Sequence, residues 1–436
     1  MQGVAVTGLG LITPLGRGIG PNWDAVREGQ IGVRAGGGGG TPASMRCVGR
    51  IDDVTLPAEL PEPVLGQARF LNRSGILGVC AMRDAVCQAA LPVDVPPARR
   101  ALYLATGDYT KLGYEFLLPA TRAAGRSGGD GLDHETLNRA AIERVSPFFL
   151  LECLHNNPYS FLTASFGFMG PGTTLASQSP SGSNAVELAC RSIRAGRADV
   201  AVAVGCGSWV NEVALFELAE LGLLSKGRQL VRSYRPFDSR RDGFLAGEGG
   251  AAIVLEDERH ARARGAEVLA RVEGIGSAIE PNPRMTVSGV ATLRTMRLAL
   301  SDADRAASDL GFVCAHGSGT RKGDRSELAS LAVLLGGDAA DVPVCALKPY
   351  TGHMGAASDV AEVAFGIMAA SGGVVPATAH FVASEPPFAG LRIAASLQPC
   401  SRPLFLTASY GVGGQASALV VSVPAQAAPV RGPERR

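Results

Sequence analysis

The stretch TTLASQSPSGSNAVELAC, residues 173–190, decides how the chain is read, because it puts a serine where an α/β fold presents a nucleophile. Thr173 to Ser177 predict a short buried strand. A helix follows from Ser181, since Val186, Cys190 and Ile193 recur at helical spacing and Gly196 supplies a stop. The turn Gln178-Ser179-Pro180 sets one side chain and several backbone N–H groups at the helix N-terminus. Such a place favours negative charge and lowers the pKa of a thiol. A serine hydroxyl gains far less there, because it ionises only with a base beside it. On this segment alone, Ser179 reads equally as an N-capping serine or as a functional hydroxyl.

The flanking sequence repeats the strand-then-helix pattern. Strand candidates at 3–7, 101–106, 199–205 and 250–255 complete a first half around 173–177. A second set at 268–273, 311–315, 343–347, 404–408 and 417–423 alternates with helices near 288–301, 325–335 and 356–370. This alternation predicts an α/β protein with largely parallel, helix-covered sheets. RARGAEVLA, near residue 262, joins the sets without a Pro- or Ser-rich linker, which predicts one compact two-lobed unit. Its halves are expected at 1–260 and 261–424, followed by a disordered tail over 425–436, AQAAPVRGPERR. Gly36–Gly40 and 123–132 are expected to be surface loops.

Composition narrows the function classes. A chain of 436 residues with 46% hydrophobic content can bury a large core. With 41 basic and 40 acidic residues, nothing electrostatic points to nucleic acid or an anionic membrane. Nine cysteines occur without CxxC or zinc-type Cys/His spacing, so no metal site is expected. Cys80, Cys190, Cys206 and Cys314 sit in apolar stretches, as reduced cysteines do in a cytoplasmic core. Met1 leads straight into GVAVTGLG, with neither a basic leader nor a long apolar run, so a soluble, unexported protein is expected.

Two further motifs carry the chemistry. CAHGSGTRKGDRSE sets His316 after a buried strand, ahead of a glycine loop and a helix. ALKPYTGHMGAASDVAE repeats this arrangement with Lys348 and His353. The chain has only six histidines, and two of them fall in matching strand-end loops. Paired imidazoles beside Ser179 suit polarisation of a carbonyl and stabilisation of an enolate.

With these motifs, VAVTGLGLITPLG at the start, SPFF at 146–149, RPFDSRRDGFLAGEGGAAIVLED at 235–257 and SYGVGGQASALVV at 409–421, the chain resembles the ketosynthases, or 3-oxoacyl-ACP synthases. The resemblance covers about residues 3–424 and implies a thiolase-like fold, two βαβαβ-type halves stacked as αβαβα layers. It matches His316 and His353 to the family's active-site histidines, Lys348 to the lysine before the second, and Ser179 to the nucleophilic cysteine. It puts Gln178, Thr351, Tyr410 and Gly411 at the substrate pocket, Tyr410 in place of a gating phenylalanine, and gives Glu327 and Asp324 supporting roles. It also implies no tightly bound cofactor, a substrate carried on the phosphopantetheine arm of an acyl carrier protein, and a homodimer, with a ketosynthase heterodimer as the alternative. A basic rim is expected at the pocket mouth, because carrier proteins present an acidic helix.

The Cys-to-Ser change separates two steps. Acyl loading needs a thiolate, whereas decarboxylation of malonyl-ACP needs only a polarised thioester carbonyl. The chain therefore resembles most the ketosynthase-like decarboxylases of polyketide β-branching cassettes, which make acetyl-ACP. The alternatives are a non-catalytic, chain-length-factor type of subunit, and a serine-dependent acyltransferase or condensing enzyme in which a histidine activates Ser179.

Overall fold

The computed structural model describes residues 3–36, 42–91, 95–106, 117–125, 133–176, 179–280 and 289–424. Gln178, residues 126–132, most of the Gly36–Gly40 run and the 425–436 tail lie outside them. The first half supplies β1 (Val4–Thr13), β2 (Arg100–Thr106), β3 (Gly172–Leu175), β4 (Val200–Ser208) and β5 (Glu248–Asp257). The second supplies β6 (Ala270–Ile279), β7 (Phe312–Cys314), β8 (Val344–Cys345), β9 (Leu404–Tyr410) and β10 (Gln415–Ser422).

Strand order is β3-β2-β4-β5-β1 in the first half and β8-β7-β9-β10-β6 in the second. Counted within each half, both follow the same path of third, second, fourth, fifth and first strand. The halves meet where β1 and β6 pair antiparallel, with Ala5 opposite Arg271 and Val6 opposite Ala270. The expectation of largely parallel sheets is corrected here. Only the first three strands on each path are mutually parallel; the fourth, fifth and first alternate in direction. In the second half the cause is local: β9 and β10 are joined by the short turn Gly411–Gly414, and a hairpin can connect only antiparallel neighbours.

Helices complete five layers. α1 (Arg73–Ala89) covers β1, β4 and β5 from outside, and α3 (Gly289–Asp302) covers β6 and β10, with α4 (Arg321–Leu334) packed on α3. Between the halves lie α2 (Ser181–Arg194) and α5 (Ala356–Ser371), which touch each other and strands of both halves. Almost every residue of α5 is buried, including its only charged residues, Asp359 and Glu362. A helix apolar on all sides belongs inside a core.

One device sets the outer layers twice. A Cβ on Gly8 or Gly10 would meet the α1 carbonyls of Ala85 at 2.3 Å and Ala81 at 1.9 Å. A Cβ on Gly274 or Gly276 would meet the α3 carbonyls of Ala299 at 2.1 Å and Thr295 at 2.4 Å. Glycine lets each helix lie directly on its sheet.

The strand before Ser179 differs from its predicted character. β3 is an edge strand, exposed at Thr173 and half-buried at Thr174 and Leu175. Its one paired strand, the parallel β2, is buried from Ala101 to Thr106. The functional loops follow the carboxyl ends of β3, β7, β8 and β9, where open α/β sheets place ligands.

Candidate active site

Ser179, His316, His353 and Tyr410 converge on a cavity of ≈ 80 Å³, walled also by Trp209, Leu218, Leu223, Phe244 and Gly411. The three motifs singled out in the sequence therefore form one site. Ser179 is 7% exposed, and its Oγ has no hydrogen-bond partner among the described residues. Neither imidazole is bonded to it. Gly411 admits the serine backbone: a Cβ there would stand 1.8 Å from the Ser179 carbonyl oxygen.

Each histidine is oriented by a different means. Lys348 is buried and does not line the cavity; its Nζ reaches His316 Nδ1 at 3.1 Å and the His316 carbonyl at 2.8 Å. The same ammonium donates to Glu362 Oε1 at 2.8 Å and Oε2 at 3.0 Å. A lysine has donors only, so His316 Nδ1 accepts and the ring proton sits on Nε2. His353 Nδ1 accepts the Gly355 N–H at 3.2 Å, which again leaves Nε2 protonated. Its ring is stacked on Trp209 at 4.7 Å and flanked by Phe244 at 4.9 Å. The two imidazole centroids lie 5.6 Å apart. Burial, then Lys348 and the other ring, hold the His316 pKa well below its usual value; burial and then Lys348 do the same for His353. Both rings are neutral N–H donors.

The loop beneath them is tied to α4 by two acids. Glu327 accepts the His316 N–H at 2.8 Å and the Gly317 N–H at 2.9 Å. Asp324 accepts from Phe237 N–H at 2.7 Å, Gly319 N–H at 2.8 Å and Ser318 Oγ at 3.0 Å. Burial pushes the Glu327 carboxyl up to about 7 and Asp324 up to about 6, against those bonds. For Glu327, the ionised form that grips both amides is lost as pH falls through about 7. The rate at this site is expected to fall a few-fold on that limb, and Glu327→Gln to flatten it. A limb near 6.5 that persists in the variant would assign it to an ordinary histidine instead.

Not every predicted residue touches the cavity. The Thr351 hydroxyl turns to the Gly352 carbonyl at 2.9 Å, and Thr351 sits behind the site with Lys348. The Tyr410 ring lies 4.3 Å from His316, and its phenol is pushed up by burial and by Glu327 and Asp324. Gln178 is outside the described residues. Sequence reasoning missed Trp209, Phe244, Asp359 and Glu362. The last two had a signal, as charges inside the apolar run AASDVAEVAFGIMAAS.

An outer cleft of ≈ 830 Å³ shares Leu223, Thr320 and Val412 with the cavity. Lys226, Arg228, Arg235, Arg240, Arg321 and Lys322 line it, with Asp242 the single acid among its described lining residues. Near-neutral overall charge thus conceals a strongly basic entrance. Among the described residues, no group of three or more His, Cys, Asp or Glu side chains could hold a metal. No described helix is long and apolar enough to cross a membrane.

Comparison with known proteins identifies the family. The beta-ketoacyl synthase N-terminal domain matches residues 67–261, and the C-terminal domain matches residues 269–382. A putative polyketide beta-ketoacyl synthase of Streptomyces cyaneus is 31% identical over 435 residues, covering 97% of this chain and 98% of the relative. A type II polyketide ketosynthase solved with its acyl-carrier protein has a TM-score of 0.83 at 24% identity, covering 97% of this chain and 100% of that one. The ishigamide ketosynthase/chain length factor has a TM-score of 0.81 at 23% identity, with coverage of 97% and 100%. Both domains are matched in order, and a relative is similar almost from end to end: the chain belongs to the beta-ketoacyl synthase family.

Proposed function

We propose that this protein decarboxylates a malonyl thioester presented by an acyl carrier protein, giving the acetyl thioester, as a ketosynthase-like enzyme that does not condense. The carrying observation is an intact pair of neutral, oriented imidazoles beside a hydroxyl that no base activates. His316 and His353 donate their Nε2–H bonds to the thioester oxygen. The bond to the malonyl carboxylate breaks, carbon dioxide leaves, and the electron pair forms an enolate held by the two donors. With no acyl group on Ser179, the enolate carbon takes a proton from water. A serine-dependent transferase would need Ser179 Oγ bonded to a base, and no described residue provides one. Incubation with malonyl-loaded carrier protein, read by intact mass, should show loss of carbon dioxide from the carrier and no mass added to this chain. An unchanged malonyl carrier would sink the reading.

The basic cleft supports the carrier as partner. Arg321→Glu with Lys322→Glu should raise KM for the malonyl carrier about tenfold, while turnover of malonyl-pantetheine stays unchanged. Equal effects on both substrates would rule out docking there. The β3 edge supports pairing with a second copy of the chain. It lies open, and Phe148, Leu150, Leu151, Leu154 and Met169 are exposed in the segments leading to it. Light scattering at micromolar concentration should give twice the chain mass, and a monomer would exclude this dimer.

A further inference from the structure

We infer that Asp359 keeps residue 179 from acting as a nucleophile, by occupying the amide end of the helix that begins at Ser181. Asp359 comes from the other half, on α5, and is fully buried. Its Oδ2 accepts the Gly182 N–H at 3.2 Å, its Oδ1 accepts the Ser409 hydroxyl at 2.8 Å, and the Ser183 N–H also donates to it. A Cβ on Gly182 would lie 2.8 Å from the Asp359 Cβ and 2.2 Å from the Ala356 carbonyl oxygen. Two of the first three amides of α2 are therefore given to a carboxylate rather than to residue 179, whose Oγ has no partner among the described residues.

Magnitudes settle the sign of the field. A helix N-terminus is worth about half a positive charge, and an ionised carboxylate a full negative one. The other groups around the site do not reverse it. His316 and His353 face it as neutral rings, Tyr410 is a neutral phenol, and Lys348 is matched by Glu362. The helix end that would lower the pKa of a thiol is thus neutralised from behind. Restoring a cysteine would not restore a thiolate.

The inference rests on Ser179 being an unloaded hydroxyl, but its test needs no turnover. Ser179→Cys is alkylated with iodoacetamide from pH 6 to 10, and the adduct is followed by intact mass. The rate should be half-maximal at about pH 8.5 or above, as for an unassisted thiol. Adding Asp359→Asn should lower that midpoint by about one unit, with about tenfold faster alkylation at pH 7. A midpoint below about 7.5 in Ser179→Cys alone overturns the inference, as does an unmoved midpoint in a folded double variant. If the double variant does not fold, the single variant still decides. Absence of malonyl decarboxylation would refute the proposed function and leave this result standing.

Discussion

Replacing His353 by alanine should slow malonyl decarboxylation by about a hundredfold or more, and His316→Ala should do the same, whereas Ser179→Ala keeps most of the rate. The asymmetry follows from where charge develops. In the proposed reaction two preorganised N–H donors would stabilise the enolate oxygen, and losing one such donor costs about 3–4 kcal/mol of transition-state stabilisation. In that reaction Ser179 Oγ would carry no charge, and it is not hydrogen-bonded to either ring, so its removal should leave both tautomers as they were. Single-turnover mass measurement of the carrier gives the comparison directly. An inactive Ser179→Ala, together with an acyl ester trapped on Ser179 in the wild type, would replace this mechanism with serine-dependent transfer.

Much of this site was legible in the sequence alone. His316, Lys348 and His353 stood in two loops of the same design, each turned by its own positive-φ glycines, Gly317 and Gly319 in one and Gly352 and Gly355 in the other; residue 179 stood at a strand-to-helix turn. The strands were legible too, because runs such as VAVAVGCGS are buried along their length. Direction was not. Whether β5 runs with or against β4 depends on contacts far apart in the chain, and apolar runs look alike in either case. The duplication had one overlooked trace, VTGLG at 6–10 against VEGIG at 272–276, whose glycines face α1 and α3 in the same way. Trp209 gave no warning, since an indole after a strand reads as core until His353 is found lying against it. Asp359 and Glu362 were visible as charges in an apolar helix, but their partners sit on other elements, which a linear pattern cannot name.

Lys348→Met should separate stability from catalysis more sharply than any other single change. Glu362 would stay buried opposite it without a counter-charge, and breaking such a pair from one side typically costs about 3–5 kcal/mol. The cost depends on pH with a definite sign. Burial raises the Glu362 carboxyl and the Lys348 ammonium holds it down, so removing Lys348 raises it further. A raised folded-state pKa favours the protonated form, so the stability it contributes is complete below the unfolded carboxyl value and is lost as pH rises through the folded one. The variant should therefore melt closer to wild type at pH 5 than at pH 8. Adding Glu362→Gln should recover much of the loss and remove that pH dependence. It should not recover the rate, because Lys348 also donates to His316 Nδ1 and so puts the ring proton on Nε2. Without that bond the imidazole can hold its proton on either nitrogen, and the donor to the enolate is no longer assured. Thermal melts at both pH values, set beside single-turnover rates, test the two roles together. A double variant that regains full rate would show that Lys348 only balances Glu362 and has no part in positioning His316.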